Sequence, residues 1–269
     1  MSNHERAIVI AELSGKILKS NFCKFLLRFF PSFKRRIKKI NKLAIIQSVP
    51  DKNEQRKLAA ELKPELYSGE RQVADSPEGI RKDHLGRYYF ATQFVTKNDK
   101  VLDAACGIGY GSFLINQKTG AKVTGIDISQ ETVDYANATY RSNEDIKFFA
   151  SDILKLDLPL ESFDVVTSFE TIEHVAQDKE ILQKFHGLLK SHGILICSTP
   201  NEEKMPFDPI KHKFHIKHFT PTELKKLLNE CNFEIVEIYS QHDKHSREIR
   251  QGDDGIFNIV ICKKISAAI

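Results

Sequence analysis

Short apolar runs alternate with longer amphipathic stretches along most of the chain after residue 95. Runs of this kind are typical of buried strands, and the stretches between them have helical periodicity. Strands that alternate with helices predict an α/β domain with a mainly parallel sheet. The predicted strands cover residues 101–104, 121–127, 148–153, 163–170, 193–201, 233–239 and 256–263.

The stretches between the strands predict three helices that can be placed along the chain. One over residues 86–95 leads into the first strand, and a long one over residues 171–190 follows the fourth. The third begins near Pro221, because Thr220 and Glu223 form a capping box and proline is favoured at the first helical position. The predicted buried faces comprise Ile181, Leu182, Phe185, Leu188 and Leu189, and then Leu224, Leu227, Leu228 and Cys231.

Glycine occupies every second position in the turn after the first strand, at Gly107, Gly109 and Gly111. Glycine permits a sharp turn and leaves no Cβ where a ligand must lie against the backbone. A helical stretch follows from Ser112, so its free N–H groups would face that ligand. A strand, a glycine turn and a helix in this order are typical of a nucleotide-type cofactor site.

The spacing of this turn and the acids around it distinguish between cofactors. A dinucleotide site favours G-x-G-x-x-G, whereas this turn has G-x-G-x-G spacing. Asp103 precedes the turn, and an acid there suits a ligand with an amino group. Asp127 ends the second strand, about 20 residues past the turn, where a carboxylate can accept hydrogen bonds from two ribose hydroxyls. Asp152 ends the third strand.

These motifs, in this order, resemble those of the class I S-adenosylmethionine (SAM) methyltransferases. The resemblance implies a Rossmann-like, doubly wound fold with a seven-stranded, mainly parallel sheet whose last two strands form an antiparallel hairpin. It also implies SAM as the cofactor. The implied cofactor-binding residues are Asp103, Gly107 and Gly109 for the methionine end, Asp127 for the ribose, Asp152 and Ile153 for the adenine, and Ala105, Ile128 and Phe169 beside them.

Two elements before the first strand make the resemblance more specific. Gly69-Glu70-Arg71 and the later His84 with Arg87-Tyr88 are similar to elements of methyltransferases encoded among bacterial surface-polysaccharide genes, although Asp83 stands where glutamate is usual. This resemblance implies O-methylation of a sugar or sugar-phosphate acceptor in surface-glycan biosynthesis. The implied acceptor-binding residues are Arg71, His84, Arg87, Tyr88 and His218. The arginine cations among them suit an anionic acceptor.

The candidates for catalysis are His84, His174, His215 and His218, because a hydroxyl is a weak nucleophile and histidine is the usual base near neutral pH. Two of them are favoured. His215 is the first, since residues 215–224 resemble a family pattern that follows strand five. His174 is the second, since Glu173-His174 resembles the Glu-His pair after strand four. Two alternatives stay open: His215 only orders its loop, or the acceptor is a phosphate oxygen that needs no base.

A metal site is not predicted. His212, His215 and His218 are spaced three residues apart, but no acid cluster lies near them in the sequence and no helix fixes them in advance.

The charge is unevenly distributed over the 269 residues, whose net charge is +4. Ten Lys or Arg and no Asp or Glu lie between Leu13 and Pro50, so the chain from Asp51 onward is net acidic. An acidic body argues against nucleic acid as a partner. The predicted division is a basic, helical N-terminal extension over residues 1–63 and a methyltransferase domain over residues 64–269.

The N-terminal segment also contains phenylalanines at helical spacing beside a Lys/Arg cluster, within residues 15–47. This composition indicates either a peripheral membrane contact or an amphipathic helix packed on its own domain or a partner. We expect a cytoplasmic protein, peripheral on the inner face of the membrane if that contact forms. The five scattered cysteines lack a C-x-x-C pair, no apolar run is long enough to span a bilayer, and the first residues do not resemble a secretory signal.

Three other functions stay open. A methyltransferase with a lipid-soluble acceptor, such as a quinone precursor, would have much the same sequence over residues 163–175. A SAM-binding protein without catalysis would keep the cofactor residues. A dehydrogenase would bind NAD instead of SAM.

Overall fold

The computed structural model describes residues 71–74, 76–141 and 144–265. The predictions for the N-terminal extension and its membrane contact over residues 15–47, and for Gly69 and Glu70, lie outside the described residues. They stay predictions, as does the domain boundary at residue 63.

Within the described residues, eight strands form one sheet and five α-helices surround it. The strands are β1 Lys100–Ala104, β2 Lys122–Asp127, β3 Ile146–Ala150, β4 Phe163–Phe169, β5 Leu189–Pro200, β6 Phe233–Gln241, β7 Arg250–Gln251 and β8 Phe257–Lys264. The helices are α1 Lys82–Ala91, α2 Tyr110–Thr119, α3 Gln130–Thr139, α4 Asp178–Leu188 and α5 Pro221–Glu230.

The strands lie in the order β3-β2-β1-β4-β5-β8-β6-β7. Strands β1 to β5 are parallel, and β8 runs antiparallel between β5 and β6. The predicted fold and the terminal antiparallel hairpin are confirmed. The predicted number of seven strands is short by one, because two residues of the charged 240–255 loop form β7 and pair with Tyr239 and Ser240.

The strand order reverses between β1 and β4, which places the crevice of the fold at their carboxyl ends. Asp103 of β1 lies opposite Thr167 of β4, so the acid before the glycine turn is next to this crevice. Asp127 ends the neighbouring β2. The sheet topology therefore brings the two acids to one edge.

Two predicted helices have different bounds in the structure. The long helix over residues 171–190 is wrong: a 3-10 turn covers Ile172–His174, Val175 is extended, and α4 begins only at Asp178. The predicted buried stripe is nevertheless buried. Helix α1 begins at Lys82, four residues before the predicted start at Gly86, and a 3-10 turn follows it.

Local capping fixes the start of two helices, and the capping box at Thr220 is the one that was predicted. The Thr220 hydroxyl accepts from the Glu223 N–H and the Glu223 carboxylate accepts from the Thr220 N–H, which completes the capping box of α5. The Ser129 hydroxyl accepts from the Thr132 N–H and caps α3. Ser129 therefore leaves Asp127 available for another role.

The main core lies between the sheet and helices α4 and α5. The side chains of Leu182, Phe185, Leu228 and Phe233 are completely buried there. In the part of the chain that the structure describes, no helix has the length and apolarity needed to cross a membrane. The four cysteines of that part are buried free thiols.

Candidate active site

A cavity of about 650 Å³ opens at the carboxyl ends of β1, β2 and β4. One wall is built by the glycine turn after β1 and by the ends of β2, β3 and β4. A second wall is built by α1 and by the loop between β5 and α5. The predicted residues that line the cavity are Arg71, His84, Tyr88, Ala105, Gly107, Asp127, Ile128, Asp152, Ile153, Phe169, His174 and His215.

Each of the three glycines in the turn is required for a different structural reason. Gly107 has φ of +55° and open space where a Cβ would point, so a ligand can lie against it. Gly109 has φ of +88°, a Cβ there would lie 2.7 Å from the Phe148 ring, and Gly109 does not line the cavity. At Gly111 a Cβ would lie 2.0 Å from the Tyr88 ring. Of these three glycines, only Gly107 lines the cavity.

Asp103 lies beneath the turn and not at the cavity wall. Its carboxylate is completely buried and accepts hydrogen bonds from the hydroxyls of Tyr88 at 3.1 Å, Ser112 at 2.6 Å and Thr167 at 3.0 Å. Burial raises the pKa of Asp103 to about 6, although these hydrogen bonds act to lower it. The prediction that Asp103 directly holds the methionine end is therefore corrected: Asp103 fixes the base of the turn.

Asp127 faces the cavity with its carboxylate held in place. Its Oδ2 accepts from the Gly107 N–H at 3.1 Å, and its Oδ1 accepts from the Ser129 N–H at 2.9 Å. The Arg71 guanidinium also donates to Oδ1 at 3.2 Å. Each carboxylate oxygen has two lone-pair sites, so these three bonds leave one site, and a pair of ribose hydroxyls is accepted here only if Arg71 moves aside.

The residues beside Asp127 suit an aromatic ring. Ile128 is 69% exposed although it is apolar, and it lines the cavity together with Ile153. Asp152 caps a 3-10 turn over Ile153–Lys155 through its Oδ1, which accepts from the Leu154 N–H at 3.0 Å. The side chains present therefore fit SAM: an open glycine, a positioned carboxylate and an exposed apolar surface follow one another along the wall. The individual cofactor contacts stay predictions.

The loop between β5 and α5 contains a chain of hydrogen bonds that ends at His215. His218 Nδ1 lies 2.6 Å from the carbonyl oxygen of Met205, so this nitrogen carries the proton and donates it. His218 Nε2 is then an acceptor, and His215 Nδ1 donates to it at 2.8 Å. This assignment leaves the lone pair of His215 on Nε2. Burial, followed by the neighbouring His174 and His218, lowers the pKa of His215 to about 3, so its imidazole is neutral.

The 3-10 turn after β4 places Glu173 and His174 beside His215. The rings of His174 and His215 are 4.6 Å apart, and His174 Nδ1 lies 3.0 Å from the carbonyl oxygen of Phe214. Glu173 is completely buried, and its Oε2 accepts from the Thr199 hydroxyl at 3.1 Å. Burial and then the nearby Glu170 carboxylate raise the pKa of Glu173 well above its ordinary value.

Two predicted acceptor-binding residues do not reach the cavity wall. Arg87 is completely buried, donates to Gln241 Oε1 at 2.7 Å, and lies 3.5 Å from Asp83. It ties α1 to β6. His218 is buried behind His215, where it orients that ring. Both side chains therefore have structural partners in place of an acceptor.

Several cavity residues were missed by the sequence reasoning. Glu170 directly follows β4 and has a strained φ of +51°, but only its place at a strand end marks it in the sequence. The other missed residues lie in loops or at the start of a helix. The periodicity of apolar residues does not predict the course of the chain there. These residues are Arg81, Tyr110, Met205, Lys211, Lys213, Phe214 and Lys244.

Comparison with known proteins supports the class of this fold and site. The family model of a methyltransferase domain matches residues 95–252, more than half of the chain. The chain belongs to this family, and its cofactor is S-adenosylmethionine. The prediction of a class I SAM methyltransferase domain is confirmed.

Two curated relatives and one solved structure are similar to parts of the chain. The chain is 35% identical to the phosphoethanolamine N-methyltransferase of Plasmodium falciparum, over 53% of this chain and 56% of that protein. It is 34% identical to a ubiquinone biosynthesis O-methyltransferase of Coxiella burnetii, over 42% of this chain and 48% of that protein. The matches thus span about half the length of these relatives. A SAM-dependent methyltransferase of Thermotoga maritima shares the fold with a TM-score of 0.57 and 20% identity, over 68% of this chain and 90% of that one.

Proposed function

We propose that this chain transfers the methyl group of SAM to an oxygen of a sugar or sugar-phosphate acceptor in surface-glycan biosynthesis. SAM supplies a methyl group on a sulfonium sulfur, and its transfer is an in-line displacement that requires an aligned nucleophile. The observation that carries the proposal is the contrast between the two walls of the cavity. One fits the cofactor. The other, the acceptor wall, is polar, cationic and rich in histidine, and it contains His174, His215, Arg81, Lys211, Lys213 and Lys244.

The charge of the acceptor wall favours an anionic or strongly polar molecule. Lys211, Lys213 and Lys244 come from two loops, and Arg81 comes from the start of α1. Arg81 is already paired with Asp83 through two hydrogen bonds of 2.6 Å, and Lys211 Nζ lies 3.6 Å from Asp208, so Lys213 and Lys244 contribute most of the uncompensated charge. Cationic side chains of this kind bind phosphate or diphosphate groups.

His215 and His174 are the residues that we assign to the chemistry. Both line the cavity at the acceptor wall, and the Nε2 lone pair of His215 is set by its bond to His218. Such a lone pair can take the proton of an acceptor hydroxyl or bind a cation that acidifies it. Replacing His215 with Ala should in either case lower turnover far more than SAM affinity.

A lipid-soluble acceptor such as a quinone precursor is the second candidate. The relative named as a ubiquinone biosynthesis O-methyltransferase favours it, as do the exposed apolar side chains of the loop between β5 and α5. Ile210 is 80% exposed, Ile216 is 50% exposed and Phe214 is 43% exposed. These exposed apolar side chains beside the cavity would suit an acceptor drawn from a membrane.

Methyl-labelled SAM separates these functions when it is incubated with the chain and either nucleotide- and polyprenol-linked sugars or quinone precursors. We expect label in a sugar, identified by mass spectrometry of the product. Label in the quinone pool alone would overturn the sugar acceptor. Binding of SAM in calorimetry, with no labelled product from either pool or from a fractionated cell extract, would indicate a SAM-binding protein without catalysis.

A further inference from the structure

We propose that Glu173, His174 and His215 bind one divalent cation of the first transition row at the acceptor wall. Each residue offers one ligand atom, and these atoms all lie within 4.8 Å of one another. Ligands with bonds of about 2.1 Å lie roughly 3 to 4 Å apart around a cation. A small rotation of the side chains is therefore enough to close the site.

Hydrogen bonds already orient the two imidazoles. The chain from the Met205 carbonyl through His218 places the proton of His215 on Nδ1, so Nε2 carries its lone pair. A bond from Nδ1 of His174 to the Phe214 carbonyl has the same effect on that ring. Metal-binding histidines commonly donate their second N–H to a carbonyl or another outer partner, which fixes the tautomer and the ring.

Glu173 provides the independent sign of a ligand. The residue is completely buried, and its Oε1 accepts no hydrogen bond from any of the described residues. A buried carboxylate oxygen without a partner is costly, and a cation would compensate it. The second carboxylate, Glu170, follows β4, lines the cavity and accepts from the Ser198 hydroxyl at 2.9 Å. It adds negative charge beside the three ligands.

The ligand set indicates the class of cation. Two imidazoles and one carboxylate suit zinc, manganese or iron better than calcium, which prefers oxygen ligands only. Three protein ligands also leave a coordination position open, as catalytic metal sites do. The ligands come from the turn after β4 and the loop before α5, so only the folded domain assembles them.

The inference deepens the proposed function, on which it rests for the nature of the acceptor. A cation at this place would lower the pKa of an acceptor hydroxyl and orient its oxygen. The O–CH3 bond then forms as the S–CH3 bond breaks, the electron pair stays on sulfur, and the hydroxyl proton leaves to water. His215 would thus act as a ligand and not as the proton acceptor.

Titration of the EDTA-treated full chain with Mn2+, followed by electron paramagnetic resonance, tests the site. We expect one Mn2+ per chain and an affinity at least ten-fold weaker in Glu173→Gln and in His215→Ala. His245→Ala is the matched control, because it removes an exposed histidine outside the cluster. SAM affinity, measured in parallel by calorimetry, should be kept by all three variants and shows that they are folded.

The outcomes separate the cation from the proposed function. A chain that binds SAM but no Mn2+ overturns the cation site and leaves the methyltransferase proposal standing. Equal loss of Mn2+ in His245→Ala and His215→Ala also overturns it. Methyl transfer that survives EDTA but is lost in His215→Ala returns His215 to the role of base. A chain that binds Mn2+ at the cluster but not SAM supports the site and contradicts the proposed function.

Discussion

Nδ1 of His215 lies 2.8 Å from Nε2 of His218. His218 donates through its Nδ1 to the backbone carbonyl of Met205. Because one imidazole sets the tautomer of the other, His218 is a positioning residue for the lone pair that faces the cavity. The sequence places these histidines three residues apart but does not distinguish the one at the wall from the one behind it.

Replacement of His218 with Leu should release the tautomer of His215. Loss of an outer partner of this kind typically lowers activity or metal affinity about 10- to 100-fold. Nitrogen-15 NMR of the imidazoles should find the proton of His215 on Nδ1 in the native chain and a mixture of tautomers in the variant. His218→Gln, which keeps an acceptor, should restore part of the native pattern; an identical spectrum in all three would contradict the relay.

Replacement of Asp127 with Asn should weaken SAM binding. Hydrogen bonds to a charged group contribute roughly 1.5–3 kcal/mol each, so the loss should be at least about ten-fold in Kd by calorimetry. The exposed acid Asp157 does not line the cavity, and Asp157→Asn is the control with the same change in charge. Equal affinities for the two variants would remove Asp127 from the cofactor site.

Replacement of Gly111 with Ala should destabilise the domain because the new Cβ would lie 2.0 Å from the Tyr88 ring. Overpacking of this kind costs about 1–3 kcal/mol. Gly187→Ala is the matched change in a helix, since its Cβ would meet only Leu160 at 3.4 Å, and it should be neutral or slightly stabilising. Chemical denaturation measures both. A second change, Tyr88→Ala, should recover part of the loss caused by Gly111→Ala through their coupling.

Asp103 should make the free energy of unfolding depend on pH. Its folded-state pKa of about 6 lies above the unfolded value near 3.9, so its protonated form favours the folded state. This contribution is complete below about pH 4 and is lost as the pH rises through 6, by about 1 kcal/mol between pH 5 and pH 7. Relative to Asp103→Asn, the free energy of unfolding of the native chain should therefore fall by that amount as the pH rises from 5 to 7, as measured by denaturation curves. A constant difference between them would refute the assignment.

Replacement of Arg87 with Met should test whether this residue is structural. Removing one partner of a buried ion pair typically costs about 3–5 kcal/mol, and the unfolding free energy should fall accordingly. Affinity for SAM should be unchanged in the folded fraction. Arg141→Met is the control, because the pair that Arg141 forms with Glu144 is exposed and its loss should change stability by less than about 1 kcal/mol. If Arg87→Met kept full stability but lost acceptor binding, the original prediction would stand.

The cofactor half of the site was largely predictable from the sequence because its signals are local. The glycine spacing sets the turn, Asp127 is the last residue of β2, and Asp152 lies just past the end of β3. The bounds of the helix near Glu173 were not predictable, since burial of that carboxylate and the extended Val175 depend on contacts with the neighbouring strand and loop. The extra strand β7 likewise forms only by pairing with β6.

The sequence by itself determined the α/β order, the class of cofactor and the strand ends that carry the acids, because periodicity and turn chemistry act over a few residues. Tertiary structure alone decided which acid faces the cavity and which lies beneath the turn, Asp127 and Asp103 respectively. It also decided that Glu173, His174 and His215 meet. The physical reason is that these contacts join segments far apart in the chain, and they form only once the sheet order and the loop path are fixed.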